Sequence, residues 1–357
     1  MSRKRIGRIL LAAVLAAVMA AAAGCGKTPS AKDVLDDALQ ASLNMESYSF
    51  SGSLRLNLEA DEALLQQNAE LAFLLAAAKN AELRYRGVYR KDPMQSEIIL
   101  DLDIRGDMSM SLSLPIVMTE DTLWIKIPNL PLLAGVIPPN LAGKFVRIGL
   151  EDLGGAGGLS AGAAALDVDA QQRLGLEIAR ILVDSFEEKT YFAVLDRKDA
   201  GLPEAANAAR AVRFRLSGEN QEEALETILK QALPRMLDVL ARPENLALLQ
   251  LDEDDFEEFR RQTTADGGEW REAVREFGER FRLHELTFTL GVDKNNFITY
   301  QEAKADLEVR EGGSSMRVGL ALVNLNEHIN REPSFEIGIP ADGDTVDLTD
   351  LIGGLAF

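Results

Sequence analysis

Apolar and polar residues alternate along residues 48–58. Tyr48, Phe50, Leu54, Leu56 and Leu58 fall on one side, with Ser and Asn mostly on the other. A period of two predicts a half-buried strand. The same alternation returns at Leu83, Tyr85 and Tyr89, at Ile98, Leu100, Leu102 and Ile104, at Met108, Met110, Leu112 and Leu114, and at Leu123, Ile125 and Ile127. With short turns between them, these segments predict an antiparallel meander. Ahead of it, Ser30 and Asp33 form a capping-box start for a helix striped by Val34, Leu35, Ala38 and Leu39 and ending near Leu43. Residues 62–78 switch to an Ala/Leu-rich helical pattern inside the meander.

The middle of the chain changes character. Residues 128–143 hold four prolines amid Leu and Gly and predict an irregular apolar loop, after which Phe145 to Leu150 suits one more strand. Residues 154–165 are Gly/Ala-rich and featureless. Asp169 and Gln172 then open a helix with the stripe Leu174, Ile178, Ile181 and Leu182. Short strands are expected at 191–195 and 211–216. Asn220 with Glu223 reads as the cap of another helix, which Pro234 kinks or restarts because it removes a backbone donor. Acidic residues 252–258 lead into further helix, Gly267-Gly268 breaks it, and Trp270, Val274, Phe277 and Phe281 form the last stripe.

Sheet patterning closes the chain. Leu286, Phe288, Leu290 and Val292 alternate, residues 293–296 (DKNN) make a turn, and residues 297–309, 316–325 and 335–339 continue the ladder. The order is sheet, helices, sheet. It predicts one α+β domain over residues 32–357, with a helical middle section at about 169–282 packed on one sheet face.

The N-terminus adds an address. Arg3, Lys4, Arg5 and Arg8 precede an unbroken apolar run, Ile9 to Ala23. That run is shorter than the roughly 20 residues a permanent span needs, and it suits a signal peptide over residues 1–24. Ala22-Ala23-Gly24-Cys25 resembles a lipobox, with Ala22 where Leu is usual, and Cys25 is the single cysteine. Cys25 is therefore the expected lipidation site, with diacylglycerol and palmitate on the new N-terminus and residues 25–31 as the tether. The expected location is the cell membrane, lipid-anchored, on the extracytoplasmic face.

Charge narrows the partners. The net charge is −19; removal of residues 1–24 takes four basic residues and no acid, leaving 34 Lys+Arg against 57 Asp+Glu, or −23. Such a surface repels nucleic-acid phosphates, so no nucleic-acid partner is expected. With Cys25 acylated no thiol remains for a disulfide, so stability rests on packing, for which 46% apolar content suffices.

The lipobox, the first helix, the segment SYSFSGSLRLNL (residues 47–58), a meander, mid-chain helices and a closing meander together resemble the LolA/LolB and LppX/LprG-like bacterial lipoproteins. The order is closest to the uncharacterised membrane-anchored lipoproteins of Gram-positive bacteria. The resemblance covers most of residues 25–345 in pattern and carries no catalytic signature. It implies a strongly curved antiparallel sheet, a half-barrel, with helices on its concave face, and in several members acyl chains held between sheet and helices. The 62–78 helix and the 154–165 segment are additions to that plan.

Catalytic chemistry finds little support. His284 and His328 have no second His or Cys to complete a metal site, there is no Gly-x-Ser-x-Gly elbow, and no glycine loop has phosphate-cradling spacing. The acids at 252–258 and at Asp342, Asp344, Asp347 and Asp350 do not match Ca²⁺-loop spacing and read as a solvated helix start and a solvated loop. No enzyme activity, cofactor or metal is expected. The leading expectation is a monomer that binds an apolar or lipid-like ligand between sheet and helices, the cavity candidates being Leu54, Leu56, Leu123, Ile125, Phe288 and Leu290. The competing expectation is an envelope interaction protein that binds a partner through its surface, with the seam between sheet and helices filled.

Overall fold

The computed structural model describes residues 29–67, 81–104, 110–129, 140–150, 168–264, 278–311 and 313–348, with positions 72, 75, 79 and 138 between them. The signal peptide, Cys25, most of the 62–78 pattern, the 154–165 segment and Trp270, Val274 and Phe277 of the last stripe lie outside the described residues, while Phe281 of that stripe begins a strand instead.

The alternating segments become strands: β1 (Ser47–Ala60), β2 (Ala81–Arg90), β3 (Gln95–Ile104), β4 (Met110–Thr119), β5 (Thr122–Lys126), β6 (Phe145–Gly149), β7 (Phe192–Leu195), β8 (Arg210–Ser217), β9 (Phe281–Val292), β10 (Ile298–Glu311), β11 (Ser314–Glu327) and β12 (Thr345–Asp347). All twelve join one open sheet in the order β12-β6-β5-β4-β3-β2-β1-β11-β10-β9-β8-β7. Every described pairing is antiparallel except β12 on β6. The fold is thus α+β, and the meanders at the two ends of the chain meet where β1 pairs with β11.

Register assigns the faces. Leu54 stands opposite Leu83 and Leu322; Leu322 opposite Ala303, and Ala303 opposite Phe288. Directly opposed residues share a face, so these side chains form one apolar face. The other face carries Arg and acid ladders, among them Arg55–Glu82, Arg86–Asp101 and Arg317–Asp306. Period two along each strand sorts the sheet into an oily face and one that carries the ion pairs, the latter also holding two apolar patches around Tyr300, Val323 and Leu325 and around Val117 and Trp124.

The helices lie on the oily side. α1 (Ala31–Ser42) starts at Ser30, whose Oγ accepts from the Asp33 N–H at 3.3 Å. Its apolar stripe, Val34, Leu35 and Ala38, packs with Val212, Val292 and Ile298 of the sheet. A six-residue helix, α2 (Glu62–Gln67), follows β1. α3 (Val168–Ser185) is joined to α1 by Arg180–Asp36 at 2.8 Å. The turn α4 (Glu188–Tyr191) leads into β7. α5 (Gln221–Thr227) passes through a π-helical turn at 228–232 into α6 (Leu233–Leu240), with Pro234 in its first turn, and then α7 (Pro243–Leu249) and α8 (Glu253–Thr264) follow.

Several expectations need correcting. The stripe Leu174, Ile178, Ile181 and Leu182 packs against Ala232, Met236 and Val239 of the π-turn and α6, because α1 already occupies the sheet below. Asn220 gives no side-chain cap to α5; its Oδ1 accepts from the Ser217 N–H at 2.8 Å. Residues 335–339 form no strand. They cross the charged face as a strap, where the buried Glu97 carboxylate accepts from the N–H groups of Glu336, Ile337 and Gly338 at 3.0, 2.8 and 3.0 Å. The strap delivers β12 to β6, where Asp347 and Asp342 both pair with Arg147, so these two acids belong to an ion-pair cluster.

Candidate functional site

Twelve strands spaced about 4.8 Å apart make a sheet roughly 50 Å wide, whereas a helix with its side chains is about 10–12 Å across. Among the described residues, α1, α4 and α5 pack on the β7–β10 end of the sheet, and the short α2 touches β11. Where their cover stops, a cleft of about 430 Å³ opens between helices and sheet. Ser42 and Met45 at the end of α1 and Gln172, Gly175 and Leu176 of α3 form one wall. Tyr48 and Phe50 of β1, Ile298 and Gln301 of β10, and Asn324 and Asn326 of β11 form the floor. The volume lies in the range that holds small ligands. A Cβ placed on Gly175 would meet nothing within 4 Å, so the wall is lowest there.

Aromatic rings build the floor. Tyr48 stacks near Tyr89 with centroids 5.3 Å apart, and Phe50 near Tyr85 at 6.4 Å. Burial pushes the Tyr48 and Tyr85 hydroxyls up, and burial with the nearby Asp169 charge pushes Tyr89 up to about 12, so all three are neutral phenols at physiological pH. A hydrogen-bond relay crosses the floor. The Tyr85 hydroxyl shares its proton between the Val323 carbonyl and Asn324 Oδ1, both at 3.2 Å; Asn324 Nδ2 donates to Asn326 Oδ1 at 3.0 Å, and Asn326 Nδ2 to the Ile298 carbonyl at 3.0 Å. Among the described residues that line the cleft, none is charged.

From this floor the oily face continues down β1 and β11. Gly52 is followed by Leu54, Leu56 and Leu58, opposed by Leu322, Leu320 and Val318. Leu56 is 40% exposed and Phe288 45% exposed, the less covered part of the face.

The six residues expected to line a cavity share this one face by register, yet they sit in three environments. Leu290 packs in the α1 cluster. Leu123 and Ile125 pack with Ile127, Val146, Ile148, Leu141, Val346 and Leu348, a seam closed by the C-terminal segment rather than by the 169–264 helices. Leu54, Leu56 and Phe288 lie on the open stretch. None of the six lines the cleft itself. The expectation that the 169–281 helices look onto all six is thus corrected: of the six, Leu290 alone joins a described cluster that contains helix α1.

The cleft residues Gln301, Asn324 and Asn326 went unnoticed in the sequence although a signal was there. They fall on the inward parity of their strands, interrupting the apolar alternation with amides. The histidines stand apart: His284 pairs with Glu308 at 3.2 Å, and His328 with Ser49 at 2.9 Å. Among the described residues no three His, Cys, Asp or Glu side chains converge as a metal site would require, and no helix is long and apolar enough to cross a membrane. Comparison of the chain with family models and with curated proteins finds no match.

Proposed function

We propose that the chain is a membrane-anchored extracytoplasmic lipoprotein, lipidated at Cys25, that binds an apolar or lipid-like ligand between its sheet and its helices. The sheet is then a half-barrel curved around its apolar face, as in the LolA/LolB and LppX/LprG-like lipoproteins. One observation carries the reading: a cleft of about 430 Å³ under α1 and α3 runs onto an apolar sheet face that retains exposure at Leu56 and Phe288. Each 100 Å² of apolar surface removed from water contributes roughly 2.5 kcal/mol. An acyl chain on this strip gains binding free energy without any charged contact. α1 joins the anchor to the site, since its first residue follows the tether and its last lines the cleft.

Titration of the full chain with an uncharged fluorescent acyl probe tests this. Saturable binding is expected, and it should be lost in Gly175→Phe, which fills the cleft from open space. Absence of saturable binding by the parent chain overturns the proposal.

A second reading has its own observation. Leu249, Leu251 and Phe259 lie exposed around α7 and α8, Phe259 by 53%. An envelope protein that binds a partner through this outer helical surface would present such side chains. Charge substitutions at Leu251 and Phe259 that leave probe binding intact but abolish a partner complex would favour it.

A further inference from the structure

The polar end of the cleft has a chemistry of its own. Besides Gln172 on the α3 wall, three amides on the floor are supplied by two neighbouring strands, with Asn324 directly opposite Gln301 and Asn326 two residues along. The relay from Tyr85 through Asn324 and Asn326 to the Ile298 carbonyl uses one N–H of each asparagine, which leaves one N–H on each. The Gln301 side chain makes no hydrogen bond among the described residues and adds both donor and acceptor. Asn326 is 9% exposed, so its spare N–H is all but removed from bulk water. Ser42, also in the wall, is already satisfied by the Ala38 carbonyl at 2.9 Å. Asp169, whose charge reaches Tyr89 of the floor, is paired with Lys91 at 2.9 Å.

We infer that this cleft selects amphiphiles with an uncharged, hydrogen-bonding head, held at Gln301, Asn324 and Asn326 while the chain runs along Leu54, Leu56 and Leu58. The inference rests on the reading of the site as a lipid cleft and adds the class of head group. Amides offer donors and acceptors together, which matches hydroxyl, ester and glycosidic oxygens. A carboxylate or phosphate placed there loses its water and meets no cation among the described lining residues. The negative charge of the chain as a whole acts in the same direction. Arg55, Arg86 and Arg317 project from the opposite face and are paired there, and Arg210, which shares the oily face by register, is engaged by Asn296 at 2.8 Å.

Four oleoyl probes that share one chain separate the possibilities: monooleoylglycerol, a glucosyl monooleoylglycerol, oleate and oleoyl lysophosphatidate. They are titrated below their aggregation thresholds into the full chain and into Gln301→Lys. Gln301 has no hydrogen bond to lose, so this variant keeps the relay. The parent chain is expected to bind the two uncharged probes about tenfold or more tighter than the two anions, a difference of roughly 1.4 kcal/mol or greater. Gln301→Lys is expected to narrow that ratio at least severalfold by gaining affinity for the anions. Tighter binding of the glucosyl probe than of monooleoylglycerol supports the inference with a sugar head; equal binding of the two supports it with a glycerol head. Equal affinity for charged and uncharged probes, all blocked by Gly175→Phe, overturns the head-group inference and leaves the lipid cleft standing. An unchanged ratio in Gln301→Lys also overturns it. Failure of all four probes to bind removes the underlying reading instead.

Discussion

The ring of Tyr85 lies across Gly52, its directly opposed partner on the neighbouring strand: a Cβ on Gly52 would stand 2.4 Å from the ring and from its hydroxyl oxygen. One pair further along, Phe50 lies across Gly87 in the same way. Each glycine gives up a side chain so that an aromatic ring can lie close over backbone. Together the two pairs flatten the floor of the cleft and aim the Tyr85 hydroxyl at Asn324.

Gly52→Ala should therefore destabilise the fold although the residue is small. The new methyl meets the Val323 carbonyl at 2.2 Å as well as the ring, and overpacking of this kind costs roughly 1–3 kcal/mol. Urea unfolding of the variant beside the parent measures the cost. A variant as stable as the parent would mean that the ring does not occupy this position.

Strands and their faces were legible in the sequence because period two at Leu54, Leu83, Leu102 and Leu112 leaves a single face for the apolar set. The start of α1 was legible from Ser30 and Asp33, and the helical restart from Pro234. What the helices cover was not. An apolar stripe such as Leu174, Ile178, Ile181 and Leu182 reports that a partner exists without saying whether it is sheet or helix, and here it is α6. The parallel β12 and the strap before it depend on Glu97, which sits 239 to 241 residues away from the N–H groups it accepts. A single buried acid inside an alternating strand announces no such partner. The cleft amides were hidden for the opposite reason, since polar residues on an inward parity read as interruptions until the relay that joins them is seen.

Glu97 should prove the most sensitive position on the charged face. Glu97→Ala strands three backbone N–H groups against the sheet, and each unsatisfied donor costs about 1–3 kcal/mol. Glu97→Gln keeps one acceptor oxygen and should cost less, about 2 kcal/mol, as hydrogen bonds to a charged group contribute about 1.5–3. Amide hydrogen exchange at residues 336–338 should quicken in Glu97→Ala before global unfolding. Unchanged protection there would show that the carboxylate does not hold the strap.

Glu308 should resist protonation in the folded chain. The Arg310 guanidinium, bonded at 2.7 Å, holds its carboxyl down to about 2, with His284 assisting. An ordinary glutamate titrates at about 4.3. A carboxyl depressed in the folded state contributes stability that is present above about 4.3 and is lost as pH falls from there through about 2. Titration of the folded chain by NMR should place the Glu308 midpoint near 2, and Glu308→Gln should flatten the fall in stability over that window. A midpoint near 4 would contradict the pairing.

The central claim is that the cleft beneath α1 and α3 holds a lipid-like ligand. Its most direct test is mass spectrometry of organic extracts from the full chain purified out of its native membrane, with Gly175→Phe purified in parallel. Filling open space on a helix should leave the variant folded, which thermal unfolding confirms. The expected result is an amphiphile recovered in near-stoichiometric amount from the parent chain and depleted at least severalfold from the variant. Extracts of parent and variant that are alike, with no amphiphile enriched over the surrounding membrane lipid, would contradict the account.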